Sequence, residues 1–187
     1  MRNSIFVDNT ANEEISKEYS RYLKNSVGVV TCNKIAAADH LENYLSLKNI
    51  SRKYGSPFLF ETNVGAGLPI IDTLNNLVAS GDQIIEIQAV LSGSLNFIFN
   101  NFKKGISFHE VTLKAQKKGY TEPDPKIDLT GVDVARKILI LARESGFDIE
   151  FSDIENKSFL PKESLEAENN ELFFKSSASS IILLSSS

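Results

Sequence analysis

The sequence predicts an α/β layer with parallel strands, and two features carry that prediction. Short apolar, β-prone runs alternate with helical periods in the order strand–helix–strand–helix–strand over residues 4–62. Within that order, GVVT (28–31) is apolar enough to read as a buried strand.

The elements follow in order. SIFVD (4–8) is the first strand. The spacing of Glu13, Ile15, Tyr19 and Leu23 predicts a helix over 11–24, capped near Asn9 or Thr10. After the GVVT strand, Leu41, Tyr44, Leu45 and Leu47 share one side of a helix over about 38–54. FLFET (58–62) is a third strand, and Pro69 is the first residue of a helix to about Ser80. Gly81-Asp82 is a turn, and QIIEIQAVL (83–91) is the longest strand candidate. Gly93 ends it, and SLNFIFNNF forms a helix. A further helix runs from about Phe108 to Lys118 and stops at Gly119, a C-terminal cap. The last helix covers about 131–144 and closes near Gly146. From about residue 173 the tail reads FFKSSASSIILLSSS, has no clear period and carries no functional reading.

Composition narrows the function classes. The 187 residues suffice for one domain or two small ones, and 42% hydrophobic with 24% charged residues is ordinary for a soluble globular protein. A net charge of −4 without a basic stripe argues against nucleic acid as partner. Cys32 stands alone, so no internal disulfide forms. No run is long enough to span a membrane, and the first residues lack the three-part pattern of a signal peptide. The expectation is a cytoplasmic protein with neither a membrane nor a nucleic-acid partner.

Three stretches carry chemistry. In KKGYTEPDPKIDLTGVD (117–133), Glu122 and Asp124 each precede a proline and are held on an extended, semi-rigid arm. An isolated TEPDP would be a solvated loop. The next helix changes the balance, because Lys137 lies among Val134, Ile138, Ile140 and Leu141. A helix apolar on most sides is buried, and a buried ammonium needs a partner or a task. Thr130 and Asp133 have capping-box spacing, which is the structural role for Asp133. Asp133 and Lys137 also share a helix face, and Glu122, Asp128, Asp133 and Lys137 are expected to converge on one pocket.

The second stretch is ETNVGAGLP (61–69). Its two glycines permit close backbone approach. It lacks the lysine of a phosphate loop and the third glycine of a dinucleotide fingerprint. A phosphate loop at a helix N-terminus is thus a weak reading, a turn whose carbonyls and Glu61 surround a hard cation fits the chemistry equally, and the purely structural reading is a tight strand-to-helix turn. The third is VTCNK (30–34), at the carboxyl end of a parallel strand, where α/β sheets bind ligands. This makes Lys34 a candidate pocket charge. Cys32 reads as buried filler, and His40 and His109 as structural helix residues.

VVTCNK (29–34), ETNVGAGLPI (61–70), LSGSLNFIF (91–99) and GYTEPDPKIDLTGVDVARK (119–137) together resemble homoserine dehydrogenase. With ILARESG (140–146), the likeness is closest to the dehydrogenase half of bifunctional aspartokinase–homoserine dehydrogenases, over about residues 4–162. The resemblance implies NADPH- or NADH-dependent reduction of aspartate 4-semialdehyde to homoserine, in threonine and methionine biosynthesis. It implies the carboxyl-terminal part of a Rossmann-type nucleotide domain over 1–58. An α+β substrate-binding and dimerisation domain with a mixed sheet would follow over 59–187, in a homodimer. By the same likeness, Lys137 is the catalytic acid/base and Lys34 stands at the cofactor–substrate junction. Glu122 and Asp133 bind the substrate's ammonium with Asp128 in support, and Gly119 contacts the nucleotide. Glu61 with the carbonyls of Val64, Ala66 and Leu68 holds a monovalent cation, usually sodium.

The sequence departs from the family pattern in three places. Cys32 replaces a common proline, PKID replaces PRDD, and the glycine fingerprint is absent because the sequence starts inside the nucleotide domain. The fragment alone is therefore expected to be inactive. A non-catalytic dimerisation and amino-acid-binding module is the alternative.

Overall fold

A computed structural model describes residues 3–103, 105–121, 129–157 and 160. The described residues fall into two compact units, one within 1–88 and 135–154, the other within 89–134 and 155–187.

The first unit is built on three parallel strands, β1 (Ser4–Asp8), β2 (Val27–Thr31) and β3 (Phe58–Leu59), in spatial order β1-β2-β3. The register aligns Phe6, Val29 and Phe58 in one row and Val7, Val30 and Leu59 in the next. Side chains alternate between faces, so the two rows point opposite ways. The first row meets aromatic partners. Phe6 stacks on Tyr22 at 4.3 Å, and Phe58 lies 5.9 Å from the Tyr19 ring. On the other face Ile5, Val7 and Leu59 are exposed.

Two short helices, α1 (Glu13–Lys17) and α2 (Tyr19–Lys24), replace the single helix expected over 11–24. The break is at Glu18, whose amide is shared between the carbonyls of Ile15 and Ser16. Such a tightened turn ends one helix as the next begins. The cap is Asn12 rather than Asn9 or Thr10, with its side chain accepting from the Ile15 amide at 3.1 Å. α3 (Leu41–Tyr54) starts three residues later than expected, with His40 at its cap position, and α4 (Ile70–Ala79) follows Pro69. The expected strand over 58–62 shortens to two residues, because a 3-10 turn over Glu61–Asn63 takes the rest.

The second unit packs α5 (Gly93–Asn101) on α6 (Phe108–Lys117). Ile98, Phe108, Val111, Ala115, Leu129 and Leu160 form its core. Ser107 and Glu110 make a reciprocal capping box at the start of α6.

One element expected from sequence is absent. Among the described residues, 82–92 form no strand ladder, and Ile85 and Val90 are 96% and 77% exposed. Alternation of apolar residues sets a strand's faces but supplies no partner for its backbone, and no described strand lies beside this one.

The last helix, α7 (Val132–Glu144), begins in the second unit and runs into the first. It is not apolar all round. Ala135, Leu139, Ile140, Leu141, Arg143 and Glu144 are buried, while Val132, Arg136 and Ile138 are exposed.

Candidate active site

Parallel strands place all their carboxyl ends on one edge, and that edge is where open α/β sheets bind ligands. Here the edge is polar and buried. Asp8 ends β1, Thr31 ends β2, Asn33 lies in the following turn, and all three are 2–3% exposed. Asp8 Oδ1 accepts from the Thr10 amide at 2.8 Å. Its Oδ2 accepts from the Tyr19 hydroxyl at 2.5 Å and from Asn33 Nδ2 at 3.1 Å. Thr31 Oγ1 lies 2.9 Å from the Tyr19 hydroxyl and accepts from the Asn33 amide at 2.8 Å. Burial alone would raise the Asp8 pKa, but the bonds from Tyr19, Thr10 and Asn33 outweigh it and hold the carboxyl below its usual value. Burial, then the bond to Asp8, pushes the Tyr19 hydroxyl well up.

Lys34 follows this cluster directly, so the structure places it where the sequence did. Cys32 is half-buried rather than buried, with its amide donating to the Asp8 carbonyl at 3.0 Å.

The turn after β3 shares the same edge, because the side-chain amide of buried Asn63 donates to the carbonyls of Cys32 at 3.1 Å and Thr31 at 3.2 Å. Glu61 lies here and does a structural task. Its two carboxylate oxygens accept from the amides of Ile71 and Asp72, each at 2.8 Å, and so cap α4. Gly65 has φ +82, and a Cβ there would lie 2.6 Å from Ile70 Cγ1, so only glycine fits. Ala66 also has positive φ, a strained value for a residue with a side chain. The two inversions turn successive carbonyls in a tight loop, and the Leu68 carbonyl takes the Ile70 amide at 2.9 Å. Carbonyl and carboxylate oxygens keep spare lone pairs after one hydrogen bond. The donor set of Glu61, Val64, Ala66 and Leu68 is therefore all hard oxygen, which suits an alkali cation.

Lys137 is half-buried on α7. Further along, Arg143 and Glu144 are about 5% and 4% exposed. Arg143 donates to the carbonyls of Ala37 (3.1 Å), Asp39 (2.6 Å) and Ile149 (3.1 Å) and pairs with Glu150 at 3.2 Å. Glu150 also accepts from the first amide of α3, Leu41, at 2.9 Å. Glu144 takes the Tyr44 hydroxyl and pairs with Lys48 at 2.9 Å. Burial, then the Glu144 charge, pushes the Tyr44 hydroxyl up, and burial lowers Arg143 against the pull of Glu150. This lattice grips residues 37–39, just after Lys34, and fixes the carboxyl half of the helix that carries Lys137.

Other candidates lie in the second unit. Gly119 has φ +71 and follows α6, with its amide on the Gln116 carbonyl and the Tyr120 amide on the Ala115 carbonyl, each within 3.0 Å. It is the expected cap. An added Cβ would meet no atom of the described residues within 4 Å. Thr121 Oγ1 is buried with no hydrogen-bond partner among the described residues. Asp133 is half-buried in the first turn of α7. Glu122 and Asp128 lie outside the described residues, as does Asp124.

The homoserine dehydrogenase family model matches residues 69–181. The chain belongs to the homoserine dehydrogenase family. It is 50% identical over 160 residues to a bifunctional aspartokinase/homoserine dehydrogenase of Haemophilus influenzae, covering 86% of this chain and 20% of that protein. It is 43% identical over 176 residues to a homoserine dehydrogenase of Schizosaccharomyces pombe, covering 91% and 47%. A hyperthermophilic archaeal homoserine dehydrogenase mutant, solved in complex with NADPH, superposes with a TM-score of 0.69 at 32% identity, covering 76% of this chain and 43% of that one. The chain thus spans about a fifth to a half of the length of these relatives.

For this homoserine dehydrogenase family member, sequence reasoning singled out Lys34 and Lys137 as candidates and missed the buried polar groups beside them. Neither Asp8 nor the Arg143–Glu144 pair was singled out, and Tyr19, Thr31 and Asn33 entered only through the helix period and the VTCNK stretch. A signal existed for both groups. An aspartate closing an apolar strand, and an Arg-Glu pair ending an apolar helix, both place charge where burial is expected.

Proposed function

We propose that the chain is part of a homoserine dehydrogenase that reduces aspartate 4-semialdehyde to homoserine. The observation that carries the reading is the position of Lys34, at the carboxyl edge of a parallel sheet and beside a fully bonded polar cluster, in a chain of this family. Residues 1–58 then belong to a nucleotide domain and 59–187 to a substrate-binding and dimerisation domain of a cytoplasmic enzyme. Among the described residues no helix is long and apolar enough to cross a membrane.

A bound NADPH or NADH supplies hydride. Lys34 and Gly119 are the groups that would hold it. Lys137 gives its ammonium proton to the alkoxide that develops on the aldehyde oxygen and stabilises that charge as it forms. Asp133, with Glu122 and Asp128, binds the substrate's own ammonium. Glu61 and the carbonyls of Val64, Ala66 and Leu68 bind a sodium or similar ion, which stiffens the turn beside the edge. The exposed run 85–90 supports a homodimer, since apolar residues such as Ile85 and Val90 are costly to leave in water.

The test is NADPH oxidation with aspartate 4-semialdehyde, run on this chain and on the full natural chain. Turnover by the full chain supports the reading, and none by either overturns it.

A further inference from the structure

We propose that Asp8, Tyr19, Thr31 and Asn33 act as one positioning lattice that sets the 31–34 turn and so fixes where Lys34 stands. The inference deepens the dehydrogenase reading and rests on it for the task of Lys34.

The geometry brackets Lys34 on both sides. Before it, Asn33 is held through its amide by Thr31 Oγ1, and through Nδ2 by both Asp8 and the Asn12 carbonyl. After it, the Ile35 amide donates to Asn33 Oδ1 at 3.1 Å, and the Lys34 carbonyl accepts from the Ala38 amide at 2.9 Å. One asparagine side chain therefore ties the residue that follows Lys34 to the ends of β1 and β2. Capping a strand end would need only one of these bonds.

Burial makes the arrangement unforgiving. All four residues are at most 3% exposed, so a lost partner is not replaced by bulk water. Asp8 accepts from three neutral donors, and its Oδ2 takes two of them. No amide in its place can accept on both sides, because one side would present an NH2 group to donors. A satisfied buried network specifies one geometry, and a partly satisfied one does not. A displacement of about 1 Å at a reacting group costs on the order of a hundredfold in rate.

The experiment uses the full natural chain and the pair Thr31→Val and Thr31→Ser. Valine keeps the shape of threonine and removes the acceptor for the Asn33 amide, whereas serine keeps the hydroxyl. Three quantities are read: kcat, KM for the semialdehyde, and the iodoacetamide alkylation rate of Cys32, followed by mass spectrometry of its peptide. Thr31→Val is expected to lower kcat at least about tenfold with KM changed far less. It should also speed Cys32 alkylation about threefold or more as the turn opens. Thr31→Ser should restore both. A role in stability alone would lower the thermal midpoint of Thr31→Val yet leave kcat and alkylation of the folded enzyme unchanged, and that result overturns the proposal. If Thr31→Val does not fold, Tyr19→Phe takes its place, since it keeps the ring against Phe6 and Phe58 and removes only the hydroxyl. A wild-type chain without turnover defeats the dehydrogenase reading. The Cys32 measurement then supports or overturns the lattice by itself.

Discussion

Two polar lattices lie in the same unit and partner their buried charges by different means. At the sheet edge a single carboxylate, Asp8, is surrounded by neutral donors from Thr10, Tyr19 and Asn33. Between α3 and the carboxyl half of α7, charge meets charge: Lys48 with Glu144, and Arg143 with Glu150. The first lattice joins residues within 25 positions of one another, and the second joins Tyr44 to Glu144, 100 positions apart. Each steadies backbone next to a candidate lysine, the first at Lys34 and the second along the helix of Lys137. The difference shows how each should fail. A carboxylate among neutral donors is sensitive to its own protonation. An ion-pair lattice is sensitive to removal of one partner, which leaves buried groups unanswered.

The largest effect should come from separating a lysine from its lattice. Lys137→Ala removes the proposed acid and touches neither Arg143 nor Glu144. Turnover of the full chain should fall about 10²- to 10⁴-fold with little change in thermal midpoint. Near-normal turnover would remove Lys137 from the mechanism and leave its lattice a purely structural device.

Arg143→Met should come next. It strips donors from the carbonyls of Ala37, Asp39 and Ile149 at once, and a loss of about 3 kcal/mol or more is expected in urea unfolding. Asp8→Asn should cost less, about 1–3 kcal/mol, because an amide still accepts on one side and fewer partners go unanswered. Equal losses would erase the distinction between the lattices.

Acid sharpens the same comparison. The folded Asp8 pKa lies below its ordinary value of 3.8, so its contribution is fully present above 3.8 and is lost as the pH falls from there through the lowered value. Thermal midpoints measured from pH 7 to pH 3 should fall more steeply at the acid end for the wild type than for Asp8→Asn. Parallel curves would mean that Asp8 gains nothing from its ionised form.

The smallest effect belongs to Glu61, which caps α4 from the same edge. Glu61→Ala should cost about 1 kcal/mol by loss of the cap. If the turn also holds a cation, sodium or potassium should raise the midpoint of the wild type and not of the variant. A wild-type midpoint indifferent to both ions would leave Glu61 with capping alone.

Much of this was legible in the sequence, for local reasons. The short strand SIFVD, the helix opened by Pro69, the cap at Gly119 and the periodic helix over 131–144 each follow from side-chain period, fixed φ or the freedom of glycine, which act within a few residues. Lys34 could be placed just past the carboxyl end of a parallel strand because that position follows from element order alone. Glu61 was singled out, but not its grip on the amides of Ile71 and Asp72. That grip depends on how the 61–70 turn closes.

The rest was decided by tertiary structure. Whether QIIEIQAVL becomes a strand depends on a neighbour to receive its amides, and a pattern of alternation contains no neighbour. Whether the helix over 11–24 stays whole depends on a turn at Glu18, where the chain bends to keep Tyr19 and Leu23 against the sheet. Asp8 finds Asn33, and Arg143 finds Ala37, only when distant segments are brought together. Sequence therefore marked candidate residues for the chemistry and, for most of them, the elements on which they ride. Folding decided which buried groups hold them still, because a hydrogen bond forms only over about 3 Å and the distance between those groups along the chain says nothing of it.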